Sequence, residues 1–334
     1  MSSMYASGPQ ALSSQLTDIS NLATGDGKRL VHEGTSIVQR MTAADKIVYG
    51  TGSDGALALD GTSAITVQGQ SIVPVGGLYT LTRDVAATTA TFTGSAVVRT
   101  ASYLFRCHLL VGDVGHVIHD DGNAGTSGSA GGGGALGGGG TLQRVSGAGA
   151  NGRGTTGVGA AGSNATNSHG GGGGAGGASG ANAGGNGGTV TAPAGSAGRA
   201  DAGLGLLQGW LANGASGPGS LAVNGGAGGG SGASNGTGNS GAGGSGGGRC
   251  HVYAFVCDFA GTIRAAGGAG GAATGGGNNG GGGGGGGGEA VLTTEYLKRT
   301  PTVSAPGGAG GAATGTGIAG SAGSTGQATT VYST

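Results

Sequence analysis

The chain has 334 residues, of which 92 are glycine; 8% carry charge, 4% are aromatic, and 14 lysines plus arginines balance 14 acidic residues. A net charge of zero excludes the basic footprint of a nucleic-acid binder or of a protein held on an anionic membrane. So few aromatic residues cannot fill a large core of the usual kind, so stability is expected from backbone hydrogen bonding and close approach, with help from oligomerisation.

In the first residues, MSSMYASGPQALSSQL, no basic and apolar signal-peptide regions occur, and no later run is long and apolar enough to read as a membrane span. Synthesis in a cytoplasm without membrane insertion is the expectation. From Ala11 to Leu22 the residues Leu12, Leu16, Ile19 and Leu22 fall on one helical face. Such a short helix needs a partner surface, either its own domain or a docking or trimerising contact.

From Lys46 the pattern changes to short β-like runs: Ile47-Val48-Tyr49, Ala56–Leu59, Ala64–Val67 and Ile72-Val73, punctuated by Asp54-Gly55 and Asp60-Gly61 as turn dipeptides. Leu78–Asp84, Thr89–Arg99 and Tyr103–Val111 continue as strands. Cys107, Cys250 and Cys257 are an odd number with no disulfide framework, and buried free thiols are expected.

After Asp121 lie 78 of the glycines, in runs such as GGGGALGGGG (131–140) and nine in succession (280–288). Glycine has the most backbone entropy to lose, so this tract is a loose tether unless something repays its ordering. Polyproline-II geometry, three residues per turn without proline, allows side-chain-free strands to lie close and bond laterally. With six prolines and no Gly-X-Y register, collagen is excluded. Repeats favour the packed reading over the tether: segments beginning at Ile118, Ile263 and Val303 superpose, and GGAGGAATG recurs at 267 and 307. Arg106-Cys107-His108 and Arg249-Cys250-His251 precede the first two copies and read as equivalent places. The fold class expected is mainly β and irregular: a short N-terminal helix, a small β-rich region over 46–121, and a polyglycine-II-like bundle with interspersed short strands over 122–334.

The succession GTGSDGALALDGT (50–62), LYTLTRD (78–84) and VGDVGHVIHDDGNAG (111–125), opening into GGGG runs, resembles the glycine-rich fibre, adhesin and decoration proteins of tailed bacteriophages. The resemblance implies a virion surface protein, usually a homotrimer, whose C-terminal part faces outward and contacts the host through a surface glycan or an outer-membrane protein. Capsid fibre and tail fibre or adhesin stay open. Residues 1–45 would then attach the chain to other capsid or tail proteins, with Leu12, Leu16, Ile19 and Leu22 as docking residues. The GGAGG and GGNGG strings are also similar to mycobacterial glycine-rich surface proteins, but those begin with a long helical domain bearing Pro-Glu, where this chain has Pro9-Gln10.

Chemistry is sparse. Gly243–Gly247 matches G-x-S-x-G, as chance dictates in such a tract. A depolymerase would need paired carboxylates on a long β-helix, and Asp120, Asp121, Asp201, Asp258, Glu289 and Glu295 are scattered, so no enzyme, cofactor or metal is expected. His116, His119, Asp120 and Asp121 could ligate a metal about a shared axis, but Gly261, Arg264, Ala265 and Ala266 replace them in the next repeat, and a solvated strand end is the expectation. Candidate receptor contacts are Trp210, Leu207 and Leu211 in the most apolar island of the tract, alternatively a plug of the bundle, and His169 in a polar loop. Close packing makes Gly270→Val severe, whereas Asn279→Ala at a run edge is expected to be mild.

Overall fold

The computed structural model describes residues 29–33, 36–40, 43–127, 148–152, 156–166, 171–191, 227–235 and 237–332. The expected helix over 11–22, with Leu12, Leu16, Ile19 and Leu22, lies outside them. Strands β1 (Arg29–Glu33) and β2 (Ser36–Arg40) pair antiparallel, and helix α1 (Ala43–Tyr49) follows. Ile47-Val48-Tyr49, expected as a strand, is instead the end of this helix. Asp45 favours its first turn, and Tyr49 packs edge-on against Phe255 at 5.5 Å, so tertiary contact overrides the β-branched preference.

From Ala56 the chain winds between two parallel sheets. Long strands β3 (Ala56–Leu59), β7 (Val85–Phe92), β9 (Phe105–Gly112), β14 (Arg249–Phe259) and β17 (Glu289–Arg299) each lead across a corner to short strands β6 (Leu78–Thr80), β8 (Val97–Arg99), β10 (Val117–His119), β15 (Thr262–Arg264) and β18 (Thr302–Ser304). An antiparallel hairpin, β4 (Ile65–Val67) with β5 (Gln70–Ile72), is inserted before β6. Strand β19 (Gln327–Tyr332) joins the long strands. The sheet orders are β19-β17-β14-β9-β7-β3 and β18-β15-β10-β8-β6. Two-residue strands β11 (Ala165–Thr166), β12 (Val190–Thr191), β13 (Gly238–Asn239) and β16 (Thr274–Gly275) lie in the glycine tract. The protein is mainly β, with one helix among the described residues.

Alternation within each strand sends one face of each sheet into a shared core. Tyr79, Val98, Ile118, Ile263 and Val303 stack in register down the second sheet; Val85, Phe105, Val252 and Leu292 do so down the first. Gly112 sits between Phe92 and Phe259, whose rings meet at 5.3 Å. A Cβ there would come within 2.6 Å of the Phe259 ring, so glycine makes room for the pair. The ladder crosses the division expected at 121/122: β14 pairs with β9, so strands of the glycine-rich part extend the sheets of the β-rich part. Hydrogen bonding and apolar burial reward stacking new strands on existing ones more than starting a second core.

Glycine segments run out from the short strands (120–127, 265–273, 305–313) and return to the long ones (241–248, 280–288, 318–326), with 157–163, 171–177, 183–188 and 227–233 alongside. The central run shows their logic. Amides of Gly280, Gly283 and Gly286 donate to Ala233, Gly230 and Ala227; those of Gly281, Gly284 and Gly287 to Ile318, Ser321 and Ser324; those of Gly282, Gly285 and Gly288 to Gly271, Gly268 and Ala265. Its carbonyls accept from Gly241, Gly244 and Gly247, from Gly177, Gly174 and Gly171, and from Gly311 and Gly308. Every third residue thus addresses the same neighbour, and six segments surround this one. Bonds of 2.7–3.1 Å offset part of the backbone entropy of glycine, at about 1 kcal/mol net each, and close backbone packing adds to them.

Candidate functional site

Two polar clusters stand out, one at each end of the glycine segments. At the far end four segments meet: Ser179–Asn182, Ser234-Asn235 with Thr237-Gly238, Thr274–Asn279 and Thr314–Gly317. Glycines at positive φ, such as Gly277 (φ 82°) and Gly315 (φ 57°), let two of these turns reverse within a few residues. Asn279 is fully buried and joins three of the turns. Its Oδ1 accepts from Ser234 Oγ at 3.0 Å and from the Asn235 amide at 3.3 Å; its Nδ2 donates to the Gly276 carbonyl at 3.0 Å. The backbones of Asn279 and Thr314 form a bridge. Asn182 Nδ2 donates to the Ser234 carbonyl at 3.2 Å, the Thr316 amide to Asn278 Oδ1 at 2.9 Å, and Ser179 Oγ to the Asn278 carbonyl. No described residue of these turns is charged. The result is a neutral platform of amides and hydroxyls, with Thr237, Thr274 and Thr316 on its exposed side.

At the near end the strands hand over to glycine through a charged corner. Arg99, His119 and Arg264 stack in register. Buried Asp120 accepts from Ser102 Oγ at 2.6 Å and from the Arg249 amide at 3.1 Å, tying one rung to the next. Asp121 accepts from Arg264 Nε at 2.8 Å and the Ala266 amide at 2.9 Å, with His119 Nδ1 at 3.1 Å. Burial pushes its carboxyl up, but His119, Ala266 and Arg264 together outweigh burial and hold it below the usual value. His116, expected at a solvated strand end, is buried against Phe92 at 5.8 Å. The His119–Asp121 cluster is therefore an inter-rung tie, and no group of three metal-capable side chains occurs among the described residues. A depressed carboxyl contributes stability that is complete above its unfolded pKa, near 3.9, and is lost as pH falls through the folded value. Melting temperature is thus expected to fall below about pH 4, and Asp121→Asn, already weaker at neutral pH, to show a shallower fall in the same titration.

Glu289 repeats the device one rung on, with Arg249 Nε at 3.3 Å and His251 Nε2 at 3.0 Å from its Oε2. Arg299 draws Asp113 and Asp258 together, at 2.6 and 2.5 Å. Ser245 of the G-x-S-x-G string is buried, its hydroxyl bonded to the Asn123 amide at 2.7 Å. The two Arg-Cys-His strings are not equivalent: Arg106 pairs with Tyr253 and Cys107 with Ala254, because two more residues separate the second string from its Ile. Cys107, Cys250 and Cys257 are free and buried. Burial raises all three thiols, Cys257 to about 11. A thiol reagent at pH 8 is expected to label none of them until denaturant is added.

Trp210, Leu207, Leu211 and His169 lie outside the described residues. Sequence reasoning missed Asn279, Ser234 and Thr314. A signal was present: Thr274 and Thr314 stand last but one in the two GGAGGAATG copies, and each pairs with an asparagine that opens a returning segment, Asn239 and Asn279. No described helix is long and apolar enough to cross a membrane. No protein-family model, curated protein or solved structure matches the chain.

Proposed function

We propose that the protein is a structural component of a bacteriophage virion, a surface-exposed homotrimeric fibre on the capsid or tail that contributes to host-cell attachment, with its glycine segments forming a polyglycine-II-like bundle. The observation that carries this reading is the rigid neutral platform held at the end of a laterally bonded lattice. The three-residue period of the lateral bonds fits three residues per turn, and nine residues at ~3.1 Å each would hold the platform about 28 Å from the sheets. Such a scaffold spends its residues on stiffness and presents turns at one end, which suits contact rather than catalysis. An uncharged contact surface favours hydroxyl-rich glycan or neutral protein loops over anionic groups.

Immunogold labelling of particles with antibody to the protein is expected to decorate the virion surface, at the capsid or at the tail. Purified protein is expected to slow adsorption of those particles to host cells. Unlabelled particles overturn the virion assignment, and labelled particles whose adsorption is indifferent to added protein overturn the attachment role.

A further inference from the structure

Two features of the sheets are incomplete within one chain. Strand β19 is outermost in the six-stranded sheet, paired only with β17, so its other edge presents backbone N–H and C=O groups to no strand among the described residues. Edges of this kind are usually blunted by charge, proline, a bulge or shortness. The opposite edge follows that rule: β3 has four residues and is flanked by Asp54 and Asp60, whose carboxylates hold backbone amides of Gln68, Ala86, Thr62 and Ser63. By contrast, β19 has six residues without proline, 301–332 carry no charge at all, and Tyr332 is 56% exposed. Next to it, 318–326 turns Ser321, Ala322, Ser324 and Thr325 outward, which closes the glycine side of this end to close approach and leaves the sheet edge as the acceptor.

The second feature is the β1–β2 hairpin, a two-stranded sheet that pairs with no other strand among the described residues. A lone hairpin is marginal in water and gains stability by joining a larger sheet. The chain's own hairpin does not pair with its own β19. We infer that the β1–β2 hairpin of one copy adds to the free edge of β19 in the next copy. Donor and acceptor are different surfaces, so the contact is heterologous and can close into a ring, three copies included. It would supply the backbone partners that each feature lacks.

Three full-length proteins test this by light scattering. Wild type is expected to give a multiple of the 30.4 kDa chain mass. Thr329→Lys/Val331→Lys, which places charge on the edge, and Val38→Pro, which breaks the hairpin register opposite Val31, are each expected to be monomers, with buried thiols still protected to show that the fold persists. Mixed one to one, they are expected to form a two-chain complex, since one brings an intact hairpin and the other an intact edge. A monomeric wild type, a Val38→Pro protein that stays assembled through β19 self-pairing or another surface, or a mixture that fails to associate each overturns the inference. Particle labelling is a separate readout, so a labelled virion with a monomeric protein would sink this contact and leave the virion assignment standing.

Discussion

Gly270→Val is expected to lower the melting temperature of the protein by about 10 °C, while Ala269→Val, one residue earlier, shifts it by about 1–2 °C at most. The two positions differ only in what their side chain would meet. A Cβ on Gly270 would lie 2.1 Å from the Gly282 carbonyl oxygen, against an ordinary contact beyond 3.4 Å. The central run cannot yield, because Gly320 presses the same oxygen from another side, with 2.0 Å to a notional Cβ. The segments must therefore part, stretching the bonds from Gly282 to Gly271 (3.0 Å), from Gly285 to Gly268 (2.8 Å) and from Gly270 to Ala309 (2.8 Å). At about 1 kcal/mol for each bond, plus lost packing, the cost comes to roughly 3–5 kcal/mol. Ala269 is exposed and displaces nothing. Calorimetry that ranks the two variants equally would mean the segments do not touch.

That contrast also explains which parts of the fold the sequence makes legible. Glycine content per triplet follows the number of packed directions. The run 280–288 is glycine throughout and has neighbours all round. In 306–311 glycine fills two positions of each triplet, and the third, Pro306 and Ala309, is exposed. In 318–326 only Gly320, Gly323 and Gly326 point inward, against 280–288. The repeats were equally readable, since Ile118, Ile263 and Val303 pair as their strings align. Other features were hidden because their cause is not local. Tyr49 is helical because of Phe255, some two hundred residues away. The shared Arg-Cys-His strings misled because identity of three residues says nothing about strand length between them. His119 reads as part of a solvated strand end, because Arg264 of the next rung, which binds the Asp121 beside it, is far away in the chain. The platform was hidden for the same reason: Ser179 and Asn278, or Asn182 and Ser234, meet only once the whole lattice is stacked.

Asn279 reverses an expectation outright. At the edge of a glycine run Asn279→Ala is expected to be mild; in the structure the side chain is fully buried and joins three turns. Alanine there removes the acceptor of Ser234 Oγ and the Asn235 amide and the donor to the Gly276 carbonyl. Ser234 keeps a second bond, to the Gly238 carbonyl at 2.9 Å, and the exposed Gly276 carbonyl keeps the Thr237 hydroxyl at 3.2 Å, but the half-buried Asn235 amide loses its acceptor. One orphaned group costs ~1–3 kcal/mol, so a loss of that size is expected, against a negligible change for Asn186→Ala at an exposed lattice position. The loss should be local. Amides of 274–279 and 314–317 are expected to exchange faster by hydrogen–deuterium mass spectrometry, while those of 280–288, bonded to six neighbours, stay protected. If the turns carry the host contact, Asn279→Ala protein should also lose its ability to slow adsorption at a temperature where its lattice is intact. Unchanged exchange in both turns would show that Asn279 is a passenger and that the platform is held by its glycines alone.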